Sequence, residues 1–310
     1  MSDVSLVAAM LQSVDLGSAQ SFRNLTVFPL LAREPRVADY ATLDDALANG
    51  AVQITEVGEA GSVPELALHN GGAARVLLVD GEELVGAKQN RVLNLTLLVP
   101  PASDLVIPVS CVEAGRWRHV SRHFSSSPRA HFAEGRAAKM RSVTESMRSS
   151  GSRRSDQSQV WQSIAYKSSS MGSVSDTSAM SDMFEQHEDR IDDFVSALGP
   201  VPNQAGAVFA INGRIVGLDL FDAPGTWQKL APKLVRSYAL DAIDRQLASG
   251  SVEADAVRVF MDAVGASGQS AFPATGVGYD LRLSSETVAG AALVADGRVV
   301  HMSAFAEAGK

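Results

Sequence analysis

Apolar positions recur along this chain in three rhythms, each confined to its own stretch. From Phe22 to about Trp117 the runs are short and rich in β-branched residues: Gln53–Val57, Arg75–Val79, Val92–Val99 and Leu105–Val112, separated by Gly, Pro and Asn-Gly or Asp-Gly pairs. Runs bounded in this way predict strands. From Ser121 to Ser181 serine and arginine dominate, yet Phe132, Met140, Val143 and Met147 fall near one helical face, with Arg136, Arg141 and Arg148 beside it. A second helix is predicted from Asp176 or Thr177, either a good N-cap, through Phe184, Ile191, Val195 and Leu198. From Ala205 the types alternate. A hairpin turns at Asn212-Gly213, a type I′ signal. A helix follows with Leu230, Leu234, Tyr238 and Ala242 at four-residue spacing and Pro232 in its first turn, then another helix near 254–264. The closing strands turn at Asp296-Gly297.

This order predicts an α+β fold: a mixed or antiparallel β-sheet core built from hairpins, a helical Ser/Arg-rich middle and helices in the C-terminal third. It reads as one composite domain over 20–310, with 121–198 a helical and candidate mobile insertion. The segments RVLLVDGEEL, AVFAINGRIV and AALVADGRVV share four apolar residues, a tight turn and a returning strand. Three ordinary hairpins would look like this, and so would a duplicated sheet unit.

Composition narrows the class. The chain has 310 residues, 45% hydrophobic and 20% charged, an ordinary globular balance that can bury a sizeable core. No stretch approaches the ~18 consecutive apolar residues of a membrane span. The first twenty residues carry Asp3 and Asp15 and no basic start, unlike a signal peptide. The single Cys111 excludes an intramolecular disulfide and a thiolate zinc cage. A soluble cytoplasmic protein with no membrane partner is the expectation. Its net charge of −8 is uneven: 116–154 carries +8, and the remainder −16. Such polarity favours an anionic partner, or a segment docked on the chain's own acids.

The densest polar cluster is DGEELVGAKQNRVLN, Asp80 to Asn94. Alternation predicts a strand over 87–99 with Lys88, Asn90 and Asn94 on one face and Gln89 and Arg91 on the other. Polar groups on both faces break strand preference, which marks either a ligand site or a guarded sheet edge. Glu82 and Glu83 just upstream are an acid–base pair in the first case and salt-bridge partners of Lys88 and Arg91 in the second. Further on, VIPVSCVEAGRWRHVSRH places Cys111 on the same face as Ile107 and Val109, hence buried. Arg116 and Trp117 pair a phosphate fork with a stacking ring, or a loop with its anchor. His119 and His123 lack a third ligand in motif spacing, and no nucleotide-loop or nucleophile-elbow motif occurs, so neither a metal nor a cofactor is expected. His301 reads as a structural histidine.

GEELVGAKQNRVLN followed by IPVSCVEAGRW resembles a bacterial and archaeal domain family named for its association with ADP-ribosylglycohydrolases and rhodanese-phosphatase proteins. Further stretches carry the resemblance across nearly the whole chain: NLTVFPL (Asn24–Leu30), the Trp161 region, SDTSAM near Ser175, the Asn212 hairpin with LFD, SYALDA (Ser237–Ala242) and the closing HMSAF. The resemblance brings no activity with it. The company recorded in the name implies ADP-ribose or nucleotide-derived chemistry, in agreement with the cationic segment. Two functions are therefore open. In one, a phosphorylated nucleotide-like ligand is bound, and in some form processed, by Lys88, Gln89, Asn90, Arg91, Asn94, Arg116 and Trp117, with Glu82 or Glu83 as base. In the other, the chain is an interaction module whose Arg/Ser segment meets a protein or nucleic acid.

Overall fold

The structure is a computed structural model that describes residues 5–58, 61–248 and 250–307. Helix α1 (Leu6–Gln12) precedes strands β1 (Val14–Leu16), β2 (Gln20–Phe22) and β3 (Leu25–Ala32). Next come β4 (Tyr40–Thr42), α2 (Leu43–Ala48), β5 (Val52–Glu56), β6 (Glu65–Asn70), β7 (Arg75–Leu78) and β8 (Glu82–Gly86). They are followed by β9 (Arg91–Leu93), β10 (Leu97–Val99), β11 (Ser103–Cys111) and β12 (Phe124–Ala130). A helical run holds α3 (Ala133–Ser150), α4 (Gln157–Ser170), α5 (Met180–Gln186) and α6 (Glu188–Ala197). The last third comprises β13 (Gln204–Ile211), β14 (Arg214–Phe221), α7 (Pro224–Asp244), α8 (Ala254–Gly265), β15 (Gly268–Pro273), β16 (Tyr279–Ser284), β17 (Val288–Ala295) and β18 (Arg298–Ala306). The fold is α+β. Among the described residues no helix is long and apolar enough to cross a membrane.

Where one composite domain is expected, the chain divides into two compact units. The first holds residues 1–38, 192–274 and 278–310, the second 39–191 and 275–277. The first unit is built on a nine-stranded antiparallel sheet in the order β1-β3-β13-β14-β18-β17-β16-β15, with β2 also on β3. One sheet face buries Phe28, Leu30, Val208, Leu220 and Met302 with Leu11 of α1 and Val257 and Phe260 of α8. The other meets α7, where Tyr238 stacks on Phe209 at 3.8 Å and donates to the Asp219 carboxylate at 3.2 Å. His301 stacks on Phe221 at 4.4 Å within this buried layer. Both glycine turns have the expected conformation: φ is positive at Asn212 and Gly213, and at Asp296 and Gly297. The α7 helix begins eight residues before Pro232, at Pro224. Pro232 is tolerated inside because it lies on an exposed face, as does Gln228, whose carbonyl it leaves without a donor.

The second unit contains a six-stranded sheet, β12-β8-β9-β11-β6-β5, and a three-stranded sheet, β10-β7-β4, whose β4–β7 pair is parallel. The expected strand over 87–99 is therefore two short strands in different sheets. RVLLVDGEEL is no hairpin either, since β7 and β8 enter different sheets. The segment read as a helical insertion opens with β12, the edge strand that pairs with β8. Phe132, Met140, Val143 and Met147 are buried as their spacing predicts, and so is Arg136, held near Asp80 with Lys139. The segment is thus packed structure. The predicted helix from Asp176 is two helices. Neither Asp176 nor Thr177 caps α5, whose N-cap is Ala179 with no side-chain cap bond.

Proteolysis reports this packing. Arg118 and Arg122 lie in exposed irregular chain, whereas Arg136, Arg141 and Arg148 sit within α3. Within 116–154, limited trypsin digestion of the native protein should cut at Arg118, Arg122 or the exposed Arg154 before any site in α3, because cleavage needs an extended, accessible backbone. Earlier cuts within α3, read by mass spectrometry, would show that the helix is loosely held.

Candidate functional site

The polar run after β8 folds as a turn because Gly86 and Ala87 take positive φ, 131° and 40°. Gly86 is also required sterically, since a Cβ there would lie 2.5 Å from Ser121 Oγ and 2.8 Å from the His123 carbonyl. Lys88, Gln89 and Asn90 are consequently turn residues, and strand alternation does not apply to them.

This turn is gripped by the chain that follows β11. Glu113 is the centre of the grip. One of its carboxylate oxygens accepts from Asn90 N at 3.1 Å and pairs with Arg116 at 2.6 Å, and the other accepts from Thr177 Oγ1 at 2.9 Å. Burial pushes the Glu113 carboxyl up, but Arg116, the Asn90 amide and the Thr177 hydroxyl outweigh it and hold the group below its ordinary value. Arg116 also donates to the Ala87 carbonyl at 2.8 Å and to Asn90 Oδ1 at 3.0 Å. Gln89 donates to the Glu113 carbonyl at 2.9 Å, while its Oε1 accepts from Arg91 Nη1 at 3.0 Å and from the Cys111 thiol at 3.1 Å. Gln89, Asn90 and Arg116 therefore brace the turn.

Arg91 differs from them. It opens β9, opposite Leu84 on one side and Cys111 on the other, and its side chain is fully buried. Only Nη1 is bonded, to Gln89 Oε1 and to the Asn90 carbonyl at 3.4 Å. Among the described residues, Nε and Nη2 have no hydrogen-bond partner. Those two nitrogens form one edge of the guanidinium plane, the edge that presents two parallel N–H groups. Above it lies Trp117, half exposed, with its ring centre 5.8 Å from Arg91 Cζ and 5.3 Å from Lys88 Nζ. Burial lowers the Arg91 pKa, opposed by the fields of Cys111, Glu56 and Glu113, yet a guanidinium stays charged.

Residues 13–305 match the sequence profile of the ARG and Rhodanese-Phosphatase-superfamily-associated Protein domain, ARPP-1. The chain belongs to this family. No curated protein and no solved structure matches it.

Three ARPP-1 stretches that are far apart in sequence thus meet in one place: the turn of 86–91, the segment 111–117 and Thr177. Other expected site residues lie elsewhere. Glu82 and Glu83 point to opposite faces of β8. Glu82 accepts from Val79 N at 2.7 Å, and Glu83, raised in pKa by burial, accepts from Ser127 at 2.8 Å and pairs with Arg129 at 3.0 Å. The structure does not bring these two carboxylates together. Asn94 bonds Ser110 and the Arg153 carbonyl. Cys111 is buried, as expected, and burial raises its thiol pKa. His119 and His123 are exposed, and among the described residues no group of three or more His, Cys, Asp or Glu is placed to hold a metal ion. The ARPP-1 Arg/Ser segment meets the chain's own acids at several points: Arg129 with Glu83 and Glu185, Lys139 with Asp80, and Arg154 with Glu65.

Sequence reasoning missed Glu113 and Glu56. Glu113 stands three residues before Arg116, a spacing that suits an ion pair. Glu56 continues the buried alternation Val52, Ile54, Glu56 of β5, which marks it as an inward-facing carboxylate.

The Glu113 grip makes a pH prediction. A carboxyl whose folded pKa lies below its unfolded value stabilises the fold above the unfolded value, and the contribution is lost as pH falls through the folded one. Glu113→Gln should lower stability at neutral pH by about 3–5 kcal/mol, because it leaves Arg116 buried without its counter-charge. The gap from the parent should narrow on acidification below about pH 4. Urea melts of both proteins at the two pH values check this, and equal stability at neutral pH would refute the assigned role.

Proposed function

We propose that this chain binds a small phosphorylated, nucleotide-like ligand in the cytoplasm, of the ADP-ribose or nucleotide-derived class, with Arg91 as the anion contact. The observation that carries the reading is the Arg91 edge. A buried charged group with unused donors is destabilising, and folds normally supply it with a partner. An oxoanion on Nε and Nη2 would satisfy both donors with a planar two-point fit and would bring counter-charge to the site. Lys88 adds a second cation, and Trp117 offers a ring face on which a base can stack. The family's name is consistent with such a ligand. Gln89, Asn90 and Arg116 act at one remove, fixing the turn from which Arg91 projects.

The test separates binding from folding. Thermal melts of the parent with inorganic phosphate, AMP and ADP-ribose should rise, since a ligand at ~100 times its dissociation constant adds ~2.7 kcal/mol. Arg91→Met, similar in length and uncharged, should melt no lower than the parent, because it removes a buried charge with two empty donors. It should lose the ligand response. Arg91→Lys should lose most of it too, as an ammonium lacks the paired donors. No response from the parent to any of the three probes would refute the reading. So would an intact response in Arg91→Met.

A further inference from the structure

A second polar group near Arg91 is left incomplete, and its sign is opposite. Glu56 ends β5 with its side chain about nine-tenths buried. Its Oε1 accepts from Lys88 N at 3.1 Å, whereas Oε2 has no hydrogen-bond partner among the described residues. Gly61 packs against this buried oxygen. A Cβ there would lie 3.2 Å from Oε2 and 3.4 Å from Lys88 Cδ, and the positive φ of Gly61, 75°, disfavours any side chain at that position. Lys88 ties the two incomplete groups together. Its amide holds one Glu56 oxygen, and its ammonium shares the Trp117 ring with Arg91. Glu56 is also among the charges whose field Arg91 feels.

Direct pairing would have cancelled both groups, yet each keeps an unused side. A ligand that satisfies both must bring acceptor oxygens with negative charge to Arg91 and a hydrogen-bond donor to Glu56. A bare phosphate meets the first need alone. A sugar phosphate meets both, because a hydroxyl donates to a carboxylate oxygen while the phosphate takes the guanidinium edge. We infer that Glu56 Oε2 is the acceptor for a ribose hydroxyl of the ligand, so that the site selects phosphorylated ribosides over deoxyribosides and over free phosphate. This rests on the Arg91 reading and narrows it to a substrate class.

A hydrogen bond to a charged group contributes about 1.5–3 kcal/mol, so losing the hydroxyl should weaken binding by about 10-fold or more. Calorimetric titration of the parent with AMP, 2′-deoxy-AMP, 3′-deoxy-AMP and inorganic phosphate reads the preference directly. AMP should bind at least about 10-fold tighter than one of the two deoxy analogues. In Glu56→Gln the amide oxygen can still accept from Lys88 N, but the open position becomes an NH₂ donor. The preference for AMP over that analogue should then vanish, and inorganic phosphate should bind more tightly because a nearby negative charge is gone. Equal affinity for AMP and both deoxy analogues in the parent would overturn the inference and leave the Arg91 reading standing, as would a preference that survives in Glu56→Gln. No binding of AMP or phosphate to the parent would overturn both.

Discussion

The ion pair between Glu113 and Arg116 is buried, and the shape of the surrounding loops depends on it. Each partner reaches into a different part of the turn between β8 and β9: Glu113 to the Asn90 amide, Arg116 to the Ala87 carbonyl and the Asn90 side chain. Glu113 also takes the Thr177 hydroxyl, and Thr177 returns its own carbonyl to Gly115 N at 2.7 Å. In this turn Ala87, which carries a Cβ, takes a positive φ that side chains disfavour. The pair restrains the turn from outside, and at Glu113 its bonds outweigh the desolvation.

Around that clamp the polar residues separate into two kinds. Gln89, Asn90, Asn94 and Arg116 have partners on several sides and give the region rigidity. Arg91 and Glu56 are each bonded on one side and, among the described residues, lack a hydrogen-bond partner on the other. The first kind fixes the turn that carries Arg91 and, through the Lys88 amide, one oxygen of Glu56.

Much of the fold was legible. Asn-Gly and Asp-Gly at 212 and 296 announced their hairpins because the turn type is dictated by the residues within it. The α3 face was readable from the spacing of Phe132, Met140, Val143 and Met147. The break at Gly86 was not, because the need for glycine comes from Ser121 and His123, more than thirty residues away. The start of α7 was misplaced because Pro232 suggests a first turn unless one knows that it faces solvent. Within the polar cluster, which members brace the turn depends on partners at 113 and 177 that no local pattern reveals. Glu82 and Glu83 illustrate the limit: adjacency in sequence places them on opposite faces of a strand.

The reach of the clamp along the chain bears on when the site can exist. Asn90 and Thr177 are joined through Glu113, so the turn is completed only after a segment of more than eighty residues has closed on itself. Loop closure of this length is entropically costly and precedes any reward from the contacts it allows. During synthesis the Arg91 turn would emerge early, and Glu113 would lack its Thr177 partner until that residue has left the ribosome. The candidate site is in this sense a late product of folding, and its formation marks the point at which β8, β9, β11 and the segment before α5 have all found one another.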